Sequence, residues 1–205
     1  MARAIKRMID FTVSVTALVV LAAPMTMIAL AIFIADRRPI LFRQLRPGYK
    51  ARPFTLFKFR TMAEMRDQEG HALADSRRLT RLGGLLRSLS LDELPQLWNV
   101  LVGDMSLVGP RPLLMQYLDR YTAEQARRHD VPPGITGWAQ VNGRNALNWP
   151  QRLALDVWYV DHWSLALDAR VMTKTVLQVL RREGISQAGQ ATMTEFMGNE
   201  SASGS

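Results

Sequence analysis

Residues 90–113, SLDELPQLWNVLVGDMSLVGPRPL, place two adjacent carboxylates, Asp92 and Glu93, ahead of an arginine set between two prolines, Pro110-Arg111-Pro112. The prolines stiffen the backbone on both sides of Arg111, so its planar guanidinium fork can be held ready for a phosphate. The carboxylates admit two local readings. In one, Ser90-x-x-Glu93 is a capping box that satisfies orphan N–H groups of a helix, with Asp92 complementing the helix dipole. In the other, Pro95 takes the first helical position and both acids stand just ahead of it. Arg87, five residues before Asp92, and Lys58 and Arg60 of KFRTM are further cations suited either to a phosphate or to lipid headgroups. There is no cysteine, and His71, His129 and His162 are scattered, so a metal here would be hard and bound through oxygen.

Positioning such groups takes a core, and 205 residues with 48% apolar content are enough for one catalytic domain with short appendages. A net charge of +8 attracts polyanions, whether anionic lipid, phosphorylated substrate or nucleic acid. No nucleic-acid recognition motif is present, so no nucleic-acid partner is expected. The chain also lacks a G-x-G-x-x-G dinucleotide loop, a G-x-x-x-x-G-K phosphate loop and a D-x-D pair, and the common nucleotide and donor-sugar folds lose support with them.

Between Asp10 and Asp36 run 25 residues without a charge, longer than the roughly 20 that cross a hydrocarbon core. Pro24 divides them, with 13 residues before it and 11 after. Each arm is then about 16 to 20 Å long at 1.5 Å per residue, too short to cross. Arg3, Lys6 and Arg7 precede the segment, and eight basic residues against one acid lie from Asp36 to Arg60, so both flanks claim the cytoplasmic side. The expectation is a re-entrant, proline-broken helix that returns to the side it entered; a kinked full span is the alternative. Pro24 frees a carbonyl, and Thr26 or Thr16 is placed to occupy it.

The expected organisation is a membrane anchor over residues 1–36, a cytoplasmic and interfacial domain over 37–185, and a polar disordered tail over 186–205. The fold class is mostly α with minor β, with interfacial amphipathic helices. RRPILFRQLRPGYKARPF reads as an irregular collar among headgroups, FTLFKFRT as extended, and Glu64 to Ser76 as a surface loop. Helical pieces follow, broken at Gly83-Gly84 and Pro95. Leu113 to Arg128 reads as helix, VPPGITGWAQVNGRN as loop, and Pro150 to Glu183 as mostly helix with a stop at Gly184.

KFRTM, RLGGLLRSLSLDELPQL, GPRP and PGITGWAQVNGRN, in this order and across nearly all of Lys6 to Gly184, closely resemble the bacterial sugar transferase family, and within it the small monotopic phosphoglycosyl transferases. The resemblance implies an enzyme of the bacterial cytoplasmic membrane, working on its cytoplasmic face. It would move a phosphosugar from a nucleoside diphosphate sugar, a UDP-sugar by family expectation, to polyprenyl phosphate. It further implies that Asp92 is a nucleophile carrying a covalent phosphosugar, that Glu93 assists through Mg²⁺ or proton handling, and that Arg111 binds substrate phosphate. Asp168 also matches a family acid, and has an equally good structural reading as a helix N-cap. Where the family has a serine before the helix-breaking proline, this chain has Ala23. Anionic lipids are the further expected partner; the sugar and the oligomeric state are not legible. A noncatalytic membrane scaffold or polyanion binder is the rival reading, and it leaves the Asp92-Glu93 and Pro-Arg-Pro constellation unexplained.

Overall fold

The structure, a computed structural model, describes residues 1–36, 38–63, 69, 73–143, 147–181 and 195–198. Most of the loop expected over 64–76, the stop at Gly184 and most of the tail lie outside the described residues. The elements run α1 (Ala2–Val20), α2 (Ala22–Asp36), β1 (Leu41–Pro47), β2 (Pro53–Phe59), α3 (Asp75–Arg78), α4 (Arg81–Ser88), α5 (Gln96–Val102), β3 (Ser106–Val108), α6 (Ala123–Ala126), β4 (Gly134–Thr136), α7 (Trp138–Val141), α8 (Trp149–His162) and α9 (Leu165–Arg181). The fold is mostly helical with a small amount of sheet.

The collar expected after the apolar segment is a strand. β1 and β2 pair antiparallel from Leu41↔Phe59 to Pro47↔Pro53. Lys50 and Ala51 in the connecting turn both adopt positive φ, 54° and 58°, which turns the chain back within a few residues. The same turn holds the ends in register, and Phe54 and Leu56 enter the main core while Phe59 enters a second cluster with Leu86 and Ile32. The other pairing, β3 with β4, is parallel, Ser106↔Gly134 and Val108↔Thr136. A parallel pair needs a long crossover, and here residues 109–133 supply it in short helical turns where one helix was expected.

The apolar N-terminal segment is not all turned outward. One stripe of α1, at the three- and four-residue spacing of a helix face, lies against the domain: Lys6, Arg7, Asp10, Ser14, Ala17 and Leu18. Lys6 Nζ donates to the Val108 carbonyl (3.1 Å). Arg7 donates to the carbonyls of Val100 and Leu101, both at 2.6 Å, in the last turn of α5, where a helix leaves carbonyls unsatisfied. Asp10 Oδ1 accepts the Leu107 backbone N–H of β3 (3.1 Å). The opposite face exposes Ile5, Met8, Ile9, Val13, Val19 and Val20. The helix is amphipathic in reverse, with its polar side chains toward protein.

Together α1 and α2 bend by 61° at the Leu21 junction. Pro24 is the third residue of α2, so its missing N–H leaves the Val20 carbonyl without its helical donor, while Leu21 N still reaches Ala17 O and Met25 N reaches Leu21 O, each at 2.8 Å. Thr26 does not occupy the freed carbonyl as expected; its hydroxyl donates to Ala22 O (2.8 Å). No single helix among the described residues is long and apolar enough to cross a membrane, whereas the bent pair passes that test together. α2 then returns to the domain, where Ile32 is fully buried against Phe59 and Leu86.

Two further expectations change. α4 runs through Gly83-Gly84 without a break, and Gly83 allows a close approach: a Cβ there would lie 2.0 Å from the Thr61 carbonyl oxygen. The chain breaks instead at Ser90, which adopts a left-handed φ of 56°. Of the tail, residues 195–198 are docked rather than disordered, with Phe196 buried among Tyr117, Tyr121 and Trp149 and Arg120 paired with Glu195 at 2.8 Å.

Asp10→Ala leaves the buried Leu107 N–H without an acceptor and should cost about 1–3 kcal/mol, read as a lower thermal midpoint of the detergent-solubilised protein. Val19→Ala, on the outward face, should leave that midpoint nearly unchanged, and equal losses in the two variants would contradict this orientation of α1.

Candidate active site

Asp92 and Glu93 sit in a 3-10 turn, Leu91–Glu93, between α4 and α5. Ser90 makes no side-chain cap, so the capping-box reading fails. Pro95 instead precedes the first residue of α5, and both acids lie ahead of that helix as the second reading has it. Left-handed Ser90 turns the chain so that Asp92 is buried and Glu93 points toward two cations.

Glu93 Oε1 accepts Lys58 Nζ at 2.7 Å and a short hydrogen bond from one terminal nitrogen of Arg111; the other Arg111 terminal nitrogen lies 3.4 Å from Oε2. Lys58 arrives on β2, on the face that Phe54 and Leu56 turn to the core. Burial would raise the Glu93 pKa, but the charges of Arg111 and Lys58 and their hydrogen bonds hold it well below the usual carboxylate range. For Lys58 burial wins, and its pKa falls despite Glu93. Asp92 goes the other way: burial and then repulsion from Glu93 raise its pKa against the pull of Lys58, Arg111 and Arg87. Neighbouring carboxylates thus carry different electrostatic loads. Glu93 is neutralised by protein cations, and the Asp92 carboxylate has no hydrogen-bond partner among the described residues.

Arg87, at the end of α4, donates from Nε to Thr61 Oγ1 (3.0 Å) and acts on Asp92 through its charge. Arg60 is buried next to the β2 terminus, its backbone N–H on Ile40 O (2.9 Å). Asp168 bonds a different set of residues: Oδ2 accepts Lys6 Nζ (2.6 Å) and Trp163 Nε1 (3.1 Å), and Oδ1 accepts the Tyr159 hydroxyl (2.6 Å). Nor is it an N-cap, because α9 already begins at Leu165 and Ser164 Oγ caps the Leu167 N–H (3.1 Å). No cluster of three or more His, Cys, Asp or Glu side chains exists among the described residues, and the site itself offers a hard cation the Asp92-Glu93 pair. An unpaired Asp92 and the lightly engaged Oε2 of Glu93 fit Mg²⁺, which takes one or two carboxylates and leaves its other positions to phosphate and water.

A profile of the family described as bacterial sugar transferase matches residues 1–182. The chain belongs to the bacterial sugar transferase family. It is 51% identical over 195 residues to an uncharacterised sugar transferase, EpsL, of Bacillus subtilis, covering 95% of this chain and 96% of that one. It is 45% identical over 190 residues to an undecaprenyl-phosphate glucose phosphotransferase of Komagataeibacter xylinus, covering 83% of this chain but only 35% of that one. It is 43% identical over 186 residues to a UDP-glucose:undecaprenyl-phosphate glucose-1-phosphate transferase of Caulobacter vibrioides, covering 85% and 69%.

In this sugar transferase the PGITG stretch explains how Arg111 is aimed, which the sequence reading left as loop. Gly109 N donates to Thr136 O (2.9 Å) and Gly134 N to Pro110 O (3.0 Å). A Cβ on Gly134 would lie 2.1 Å from Gly109 N, and one on Gly137 2.1 Å from Gly109 O, so glycine is required for the two backbones to touch. Sequence reasoning also missed Arg128 and Asp156, a pair with side chains 1% and 3% exposed. One signal was available: Asp156 falls on the stripe that α8 buries, with Leu153 and Val157.

Beside Arg128, burial first and that charge second hold His129 down to about 4. Its Nδ1 donates to Ala126 O (3.1 Å), and Nε2 is buried without a partner among the described residues, so a second proton finds no acceptor there. From about pH 6.5, the unfolded value, down to about 4 the unfolded chain binds a proton that the folded chain refuses, and stability falls as pH falls. Acidification from pH 7 to pH 5 should therefore cost on the order of 2 kcal/mol through this residue. His129→Asn keeps the donor to Ala126 and should flatten the thermal midpoint against pH; an unchanged slope would remove His129 as the cause.

Proposed function

We propose that the chain transfers a phosphosugar from a nucleoside diphosphate sugar, a UDP-hexose by the names its relatives carry, to polyprenyl phosphate. The observation that carries this is the asymmetric dyad: Glu93 clamped between Lys58 and Arg111, with Asp92 beside it, buried and without a hydrogen-bond partner among the described residues. A carboxylate without hydrogen bonds keeps its lone pairs for attack. An Asp92 oxygen attacks the sugar-bearing phosphorus, and the bond to the bridging oxygen breaks with its electron pair leaving on the nucleoside monophosphate. A phosphate oxygen of the lipid then attacks the same phosphorus, and the bond to Asp92 breaks to restore the carboxylate. Products and reactants balance without water or redox change. Arg111, Lys58 and Arg87 counter the charge on the phosphoryl oxygens, the main electrostatic demand of phosphoryl transfer. Mg²⁺, held by Asp92 and Glu93, would supply further neutralisation of phosphate charge.

Residues 1–36 serve as a re-entrant anchor for the domain at 37–185, on the cytoplasmic face of the bacterial cytoplasmic membrane. In support, Lys6, Arg7 and Asp10 near the start of α1 and Ile32 near the end of α2 pack on the same domain. Contact of both ends of the segment with one domain supports placing both ends on one side of the bilayer. Basic residues on both flanks agree, and the outward apolar faces suit lipid.

The natural chain has no cysteine, so Ala2→Cys and Arg38→Cys can each be labelled alone with an impermeant thiol reagent. Both should be protected in intact cells and labelled after opening; opposite accessibility would mean a true span.

Asp92→Asn should fold, bind membranes and release less than about 1% of the wild-type nucleoside monophosphate, since an amide cannot replace the attacking carboxylate. Wild-type protein given nucleotide sugar without lipid should hold a phosphosugar that peptide mapping by mass spectrometry, in acid, places on Asp92. A panel of nucleotide sugars in the same release assay identifies the donor. An active Asp92→Asn variant, or an adduct on Glu93, would overturn the assignment.

A further inference from the structure

Arg111 reaches Glu93 from a loop with no regular structure of its own, and something must hold that loop's backbone. Gly134 and Thr136 hold Pro110 and Gly109 on one side. On the other, a third hydrogen bond comes from a guanidinium. Arg128 donates from one terminal nitrogen to the Arg111 carbonyl (2.7 Å), and from the same nitrogen and from Nε to Asp156 Oδ2 (2.7 and 3.1 Å). The ring of Tyr121 lies 5.8 Å from the guanidinium carbon.

We infer that the buried Arg128–Asp156 pair is the positioning device for Arg111, setting the substrate-binding arginine through its main-chain carbonyl; this rests on the function proposed above. Stability alone gives little reason for the pair. Burying two charges costs roughly what their attraction returns, and well-packed apolar residues in their place are often as stable. The guanidinium adds something an apolar pair cannot: a rigid plane with donors in fixed directions. Asp156 fixes that plane, and the remaining N–H of the shared nitrogen fixes the Arg111 carbonyl. Arg128 comes from the turn after α6 and Asp156 from α8, so the aim of Arg111 is referred to the packed helices and not to its own loop. Their hydrogen bonds to the site run through the Arg111 main chain. Both act through Arg111.

The test is a double-mutant cycle on nucleoside monophosphate release, with Arg128→Met/Asp156→Leu made in wild-type and in Arg111→Ala backgrounds, and the thermal midpoint recorded for each. In the wild-type background kcat/KM should fall at least about tenfold, as expected when a phosphate-binding group is misplaced by a fraction of an ångström, with the midpoint within a few degrees of wild type. In the Arg111→Ala background the same change should cost less than about twofold, because the group it positions is gone. If the apolar pair does not fold, Arg128→Lys, which keeps a charge on Asp156 and loses the planar fork, goes through the same cycle with the same expectation. Equal losses in the two backgrounds would overturn the inference while leaving the proposed function intact. A wild-type protein that releases no monophosphate from any nucleotide sugar would overturn both.

Discussion

A single carboxylate, Glu93, joins the parts of this protein that would do chemistry. Its partners come from far apart in the chain: Lys58 from the hairpin, Arg111 from the loop after β3. A buried glutamate without them would lose its charge, because burial alone favours the neutral acid. With them it stays ionised well below the usual range, and three segments are bound to one point. The clamp also shapes its neighbour. Asp92 is buried, feels the residual charge of Glu93 as repulsion and has no hydrogen-bond partner among the described residues, so its pKa rises while its oxygens stay uncommitted.

Everything around the clamp serves to hold its two cations still. Lys58 is fixed by strand register, since a slip by one residue would turn it to the opposite face. Arg111 has no strand to hold it, and is fixed instead by backbone contact with Gly134 and Thr136 and by the Arg128 guanidinium. This division follows from residue type. A lysine is a flexible point charge that tolerates a coarse placement, whereas the arginine fork works only in the right plane.

The N-terminal helices are tied to the same centre. Lys6 and Asp10 of α1 bond β3 at Val108 and Leu107, immediately before the Gly109-Pro110-Arg111 loop, and Ile32 of α2 packs on Phe59, next to Lys58. The N-terminal helices are therefore part of the core that carries the site. Inward polar groups satisfy main-chain donors and acceptors of the domain, and the outward face is left apolar, opposite to the pattern of a helix that covers a soluble core.

How much of this was legible in the linear chain follows from the range of the interactions. The apolar run, its proline, the adjacent carboxylates, the locked arginine and the family itself depend on residue type and near spacing, and the sequence alone determined them, together with the mostly helical fold class. Gly83 as a contact rather than a break, the first hairpin strand, the inward stripe of α1 and the docking of Phe196 depend on what arrives from elsewhere in the chain. So does the replacement of the capping box open to Ser90-x-x-Glu93 by a charge clamp at Glu93. Both satisfy the same local pattern, and only the tertiary structure decides, because two cations delivered 35 and 18 residues away outweigh a backbone N–H for a carboxylate taken out of water. The Asp168 network is invisible locally for the same reason: its partner Lys6 is 162 residues distant, and no local pattern carries that information.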